Sequence, residues 1–431
     1  MDASKISKHV ELVADGLTFP TSLTFDSTGS LYVAESGLPF GGALPGGKIW
    51  QITPDGRRSL LIEGLKHPVN GLTFYHNYLY ISEGGHSAQI SRLKLDGSFT
   101  VILKDLPGPG NYHTNMLAFG PDGKLYFSQG AMTNTGIIGL DAYELGWLRR
   151  LPHAYDIPGY DIVLSGVNVE TRNPLENGAG EWVQTGAFVP FGTPTEPGQQ
   201  VQGQLPCVAA VMRCNPDGSN LELVAWGIRN AYGLGFLPDG RLLAIDQGAD
   251  DRGSRPVGNA PDLLIEIKKG AWYGWPDFIG SDPITDSTYQ PQRGPRPEFI
   301  LANHHELPLP EKPFLRFPPH SAAVKFDIAP IDLPNWGGHL FVALFGDEQP
   351  MTVPAGPRSG RSVVRIDPSD WSLQPLLLEP FNRPIDVRFH PIHKTLYILD
   401  FGKFEMNSER GVVAEPKSGR IWRVDLLSLK E

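Results

Sequence analysis

Six copies of one motif run along this 431-residue chain, and they limit its fold more than any other feature. Each copy is a polar cluster, an apolar strand, a turn often spelled PDG, and a second apolar strand. The copies are PTSLTFDSTGSLYVAE (20–35), PVNGLTFYHNYLYISE (68–83), HTNMLAFGPDGKLYFSQG (113–130), RNAYGLGFLPDGRLLAIDQG (229–248), HSAAVKFDIAPIDLPNWGGHLFVALFG (320–346) and RPIDVRFHPIHKTLYILDFG (383–402). A phenylalanine marks the first strand of each: Phe25, Phe74, Phe119, Phe236, Phe326 and Phe389. The first two spacings, 49 and 45 residues, suit a four-stranded propeller blade of about 40 to 50 residues. Later spacings are longer, so insertions sit between blades. A third strand accompanies each hairpin, as in GKIWQITPDG, AQISRLKLDG, AAVMRCNPDG, DLLIEIKKG, SVVRIDPSD and GRIWRVDLL. These units predict an all-β, six-bladed β-propeller with long inter-blade insertions, one domain over 1–431. Closing the ring leaves only short, protected edges. A pair of sandwich sheets also has short strands and tight turns, but does not account for six copies. The N-terminal HVELVADGL is expected to pair with GRIWRVDLL and fasten the ring.

Composition agrees. Gly (49) and Pro (40) suit many short strands and turns, and the apolar content is too high for disorder. The net charge is −10 with scattered Lys and Arg, so no nucleic-acid partner is expected. No apolar run approaches the roughly 18 residues of a membrane span. The start, Met1-Asp2-Ala3-Ser4, lacks a basic and then apolar leader. Either the protein is cytoplasmic or a leader has been removed. The two cysteines, Cys207 and Cys214, lie seven apart in a stretch that reads as a strand. Seven strand steps span about 23 Å, beyond disulfide reach, so they read as buried apolar residues.

Residues just before each inner strand point into one mouth of a propeller's channel. Here they are Ser22, Asn70, His113, Arg229 with Asn230, His320 with Ser321, and Arg383. Convergent His and Arg in a concave mouth read as a ligand site, against solvated loop tips as the plain alternative. His113 is the best-placed general base, although a lone histidine is more often structural. Arg229 and Arg383 have the fork to grip carboxylates, or serve as ordinary ion-pair residues. The insertions 131–206 and 249–319 read as a rim around the pocket or as surface decoration. The stretch AIDQGADDRGSRPVGNAPDLL (244–264) gathers Asp246, Asp250, Asp251 and Asp262 in an irregular loop. Such a loop suits a hard cation such as Ca²⁺, without EF-hand spacing. The alternative is a turn held by side-chain hydrogen bonds and pairs with Arg252 or Arg255.

The run WGIRNAYGLGFLPDGRLLAIDQGADD, with KKGAWYGWPDF at 268–278, resembles the glucose/sorbosone dehydrogenase family. The blocks at 113–130 and NRPIDV (382–387) fit the same pattern, and the likeness runs from about 15 to 425. The resemblance implies a six-bladed propeller that oxidises an aldose, a sorbosone-like sugar or a related alcohol with pyrroloquinoline quinone (PQQ) and Ca²⁺. It implies His113 as the base taking the hydroxyl proton, with hydride passing to the quinone. It implies Arg229 and Asn230 holding the quinone, with Arg383 packed over it. It implies the carbonyls of Gly248 and Ala249 as Ca²⁺ ligands, beside Asp250 and Asp251. It further implies an external electron acceptor and a periplasmic or secreted location. The chain departs from the family pattern at Ile385, where a second arginine is usual, at Gly346, where a lysine is usual, and at Val69, where a glutamine is usual. His320 or Arg316 could compensate for the lost cations. Two other functions compete: a non-catalytic ligand-binding propeller and a metal-dependent lactonase. The lactonase expects a glutamate opening the first inner strand, where this chain has Pro20-Thr21-Ser22.

Overall fold

The computed structural model describes residues 9–176, 180–308, 310–407 and 409–428. The second strand of each motif copy is an unbroken apolar run, as in LYVAE (Leu31–Glu35), LLAID (Leu242–Asp246) and LFVAL (Leu340–Leu344), buried at every position. Such runs suit strands covered on both faces. The outermost strands Arg58–Leu65 and Phe99–Leu106 mix polar and apolar residues and are largely exposed. Burial thus falls from the second strands to the outermost ones. The PDG turns close the inner hairpins. Gly123 and Gly240 take positive φ, and Asp122 and Asp239 accept the backbone N–H of Lys124 and Arg241, the local bonding that suits Asp-Gly to turns.

The result is six four-stranded antiparallel sheets in a ring, the six-bladed propeller expected from the repeats. Blade one holds Pro20–Phe25, Leu31–Glu35, Gly47–Ile52 and Arg58–Leu65, and blade two runs from Val69–Tyr75 to Phe99–Leu106. Blade three joins Thr114–Phe119 and Leu125–Gln129 to Ala210–Cys214 and Glu222–Trp226, with the first insertion between them. Blade four joins Ala231–Phe236, Leu242–Asp246 and Leu263–Ile267 to the two-residue strand Leu315–Arg316. Blade five runs from Ala323–Ile328 to Ser372–Leu377. Blade six takes Pro384–Phe389, Leu396–Asp400 and Gly419–Val424, and its outer strand is N-terminal Val10–Leu17, with Val10 opposite Val424 and Leu12 opposite Trp422. The ring is fastened as expected.

Apolar residues pack between neighbouring blades, for example Leu23, Val33, Val387, Ile398 and Ile421 where blades six and one meet. The insertions are anchored by aromatics: Phe188 lies 5.8 Å from Trp275 and 6.4 Å from Trp226. Only Cys214 of the two cysteines lies on a strand. Both are buried and unpaired with each other, and burial pushes both thiols up to about 12. Among the described residues, no helix is long and apolar enough to cross a membrane.

Candidate functional site

Inner strands converge on a central cavity of about 1290 Å³, open at the mouth where the inner strands begin. The first insertion supplies part of its rim through Leu140–Glu144, a short helix, and Trp147 and Arg150. The second supplies Ala249, Asp250, Arg252 and Arg293. Both insertions therefore shape the site.

His113 precedes the inner strand of blade three and lines this cavity. Its imidazole makes no hydrogen bond to the described residues, unlike a structural histidine. Burial, with His67 nearby, lowers its pKa to about 4. The ring is therefore neutral near pH 7, with a free lone pair. His320 also lines the cavity, and burial lowers its pKa against the pull of Asp250, Asp347 and Asp251.

Arg229 lies in the cavity wall, and the protein saturates its guanidinium. Nε donates to the Asn134 carbonyl (3.1 Å), Nη1 to the carbonyls of Gln247 (3.1 Å) and Gly248 (2.6 Å), and Nη2 to Asn134 Oδ1 (2.7 Å), Asp250 Oδ2 (2.9 Å) and the Tyr112 hydroxyl. It also sits 4.2 Å from the Tyr112 ring centroid. Asp250 accepts further bonds from Tyr112 (3.0 Å) and Arg252 Nε (3.0 Å). Burial pushes this carboxyl up, but Arg229 and Arg252 outweigh it and hold the pKa below the usual value.

This arrangement corrects the Ca²⁺ reading of Gly248, Ala249, Asp250 and Asp251. The Gly248 carbonyl already accepts from Arg229. Asp250 is neutralised by two arginines. Asp251 faces away and caps the backbone N–H groups of Gln292 (2.8 Å) and Arg293 (3.2 Å). Asp246 and Asp262 likewise accept backbone N–H groups, of Asn230 (2.7 Å) and of Gly248 (2.9 Å) and Ala323 (2.7 Å). A hard dication needs several free oxygens, and here the Arg229 guanidinium already engages the Gly248 carbonyl and Asp250. Only the Ala249 carbonyl is left of the four expected donors. The donor set does not fit Ca²⁺, and among the described residues no group of three His, Cys, Asp or Glu side chains is arranged to hold a metal.

Further expectations are corrected. Arg383 does not face the cavity. It is 1% exposed, and its guanidinium donates to the carbonyls of Phe404 (3.0 Å), Phe345 (3.2 Å), Gly346 (3.0 Å) and Asp347 (2.7 Å) and to Glu405 (3.2 Å). A hairpin of Phe404–Asn407 and Gly411–Ala414, inserted in blade six, covers it. Arg316 pairs with Asp282 at 2.9 Å and takes no part in the lining. Asn230 is buried just beneath the cavity, its amide bonded to Asn115 and Gln247 (both 2.7 Å). Ser22 lies in the strand itself, bonded to Asp386 at 3.2 Å. Of the departures from the family pattern, Ile385 and Gly346 line the cavity and Val69 does not.

The sequence reading missed several residues here. Tyr112 and Asn134 knit the 247–252 loop to blade three. Glu348 lines the cavity with its carboxyl raised above the usual pKa, mainly by burial. Lys325 lies on the inner strand of blade five, fully buried, with Nζ on the carbonyls of Thr21 (2.6 Å) and Asn70 and 3.9 Å from Asp386. Burial lowers its pKa to about 7. A lysine inside a strand has no turn or motif to flag it. Glu348 was passed over because the comparison with the family's lysine fell on Gly346, two residues before it.

No protein-family model and no curated protein matches the sequence. Solved structures do match. The putative oxidoreductase (glucose dehydrogenase) of Thermus thermophilus aligns over 96% of this chain and 99% of its own, at 19% identity and TM-score 0.54. The PQQ-bound aldose sugar dehydrogenase of Streptomyces coelicolor aligns over 96% and 97%, at 18% identity and TM-score 0.57. The PQQ domain of pyranose dehydrogenase from Coprinopsis cinerea aligns over 96% and 95%, at 14% identity and TM-score 0.57. Over nearly its whole length, the chain has the six-bladed fold of these sugar dehydrogenases.

Proposed function

We propose that this protein is an oxidoreductase that oxidises a hydroxyl of a sugar or related alcohol, with PQQ as the hydride acceptor and an external acceptor taking the electrons onward. The observation that carries the reading is His113: a neutral imidazole that makes no hydrogen bond to the described residues and opens on a cavity large enough for a cofactor and a substrate together. The shared fold of the sugar dehydrogenases supports it.

The cavity walls suit an anionic quinone. Four guanidiniums line it, those of Arg150, Arg229, Arg252 and Arg293, and guanidinium forks match carboxylates. Two lining carboxyls lean towards the neutral acid: Glu348 is raised, and Asp262 is raised to about 6, both by burial. Asp347 and Asp250 are paired with arginines. The walls therefore repel an anion less than their sequence suggests. Arg252 and Arg150, whose guanidiniums the protein engages only in part, would hold the quinone's carboxylates, with Arg229 fixing the wall behind them and His320 the further donor.

PQQ, when bound, supplies a two-electron acceptor for the hydride leaving the substrate carbon. His113 takes the proton of the hydroxyl on that carbon, so the C–O bond becomes a carbonyl. A pKa of about 4 keeps the imidazole ready to accept without prior loss of a proton, and positioned bases contribute about 10² to 10⁴ in rate. The test is to titrate the protein with PQQ in the presence of EDTA and then add D-glucose, D-xylose or glycerol with a redox dye. Quinone absorbance change and dye reduction support the reading. Absence of both, with Ca²⁺ added as well as without it, overturns it.

A further inference from the structure

Four side-chain amides form one continuous chain beneath the cavity, crossing blades two, three and four. Asn70 Nδ2 donates to Asn115 Oδ1 (3.2 Å), Asn115 Nδ2 to Asn230 Oδ1 (2.7 Å), and Asn230 Nδ2 to Gln247 Oε1 (2.7 Å). Gln247 Nε2 then donates to the Ala323 carbonyl on blade five (3.4 Å). The direction of such a chain is fixed only if one end meets a group that cannot switch roles. The Ala323 carbonyl is that group, because it can only accept. Gln247 must therefore present its NH₂ to blade five and its oxygen to Asn230, and each amide upstream follows.

The chain thus begins at Asn70 with an oxygen. Asn70 is 5% exposed and lines the cavity. Its Oδ1 accepts no hydrogen bond from the described residues. Its backbone is pinned, since the Asn70 carbonyl accepts from the buried Lys325 ammonium. Donation down the chain polarises each amide in the same sense and makes the first oxygen a stronger acceptor. Unlike Ser128 Oγ, which is sealed off without a partner, Asn70 Oδ1 opens on the cavity. A ligand that covers it without offering a donor leaves it unmatched at a cost, so a ligand donor is its natural partner. Water or a hydroxyl can serve; a carboxylate or a quinone carbonyl cannot, because it has no proton to give.

We propose that Asn70 Oδ1 is a substrate-hydroxyl acceptor, a specificity-determining subsite that selects polyhydroxylated substrates over simple alcohols. This rests on the oxidoreductase reading for its substrate class, but it concerns binding and needs no turnover. The subsite accepts one hydroxyl other than the one being oxidised, and the amide chain holds its acceptor in place.

The test is ligand-observed NMR titration of the protein, without cofactor, using D-glucose, D-xylose and the 1-, 2-, 3- and 6-deoxy analogues of glucose. The expected result is that glucose binds and one deoxy analogue binds about 5- to 100-fold more weakly, the range for an unmet buried acceptor. In Asn70→Ala that penalty disappears, so glucose and this analogue bind alike. Asn70→Val also removes the acceptor while filling more of the space, and is expected to lose the same penalty, so it serves if the alanine variant does not fold. Equal binding of all the deoxy analogues by the wild type, or an unchanged penalty in folded Asn70→Ala, overturns the subsite while leaving the oxidoreductase reading intact. No binding of either sugar overturns the substrate class on which both rest.

Discussion

Arg229 and Arg383 stand at equivalent places, each at the entry to an inner strand, yet they end in opposite environments. Both clamp backbone carbonyls of a loop that follows a second strand: Gln247 and Gly248 within its own blade four for the first, Phe345 to Asp347 of neighbouring blade five for the second. Arg229 keeps one face on the cavity, because the residues around it, Tyr112 and Asn134, come from the side. Arg383 is roofed by the Phe404–Asn407 hairpin and pairs with Glu405 instead of a ligand. The same residue at the same repeat position is thus wall in one blade and foundation in another. What decides is the insertion above it, not the strand below.

The contrast can be broken first at the cavity wall. His113→Ala removes the base and is expected to lower turnover about 10²- to 10⁴-fold, with the melting temperature unchanged, since the imidazole bonds to nothing in the described protein. Steady-state dye reduction and a thermal melt check both parts. Arg383→Met is expected to do the reverse. It leaves four carbonyls and Glu405 without their donor and should cost about 3–5 kcal/mol in a denaturant titration, while folded protein keeps its ligand affinity. Asp250→Asn is the intermediate case. It frees Arg229 and Arg252 from their shared carboxylate, and a loss of about 1–3 kcal/mol is expected. Added Ca²⁺ should not restore it, and restoration measured by a calcium-dependent melt would revive the metal site. Glu405→Gln should matter least, because that carboxylate is 42% exposed and exposed pairs are worth about 1 kcal/mol or less.

The fold was legible because the blade is a repeated unit. Six phenylalanines and the apolar second strands carry the period, and burial between neighbouring blades leaves the sequence little choice at those positions. The position of His113 was legible for the same reason, as the residue before an inner strand. The fates of Arg383 and the Asp246–Asp251 loop were not. They depend on Phe404–Asn407 and on Asn134, which lie far away in sequence and carry no pattern of their own. The four aspartates suggested a cation, but Asp250 is met by Arg229 and Arg252 and the other three accept backbone N–H groups. The Asp250–Arg252 pairing had been the plain alternative. Lys325 and the Asn70–Gln247 chain were invisible for a further reason: a buried polar group is recognised by its partners, and those sit on other blades.

The central claim is that a neutral imidazole at His113 is the base. The pH dependence of kcat/KM for sugar oxidation by the PQQ-loaded protein tests it most directly. The folded-state pKa is depressed to about 4, so the base form persists from neutral pH down to that value. The expected profile is level from about pH 5 to 8 and falls tenfold per pH unit below about 4, with the limb absent from the residual activity of His113→Ala. An acid limb near the ordinary histidine value of about 6.5, or one that survives in the alanine variant, would contradict the account.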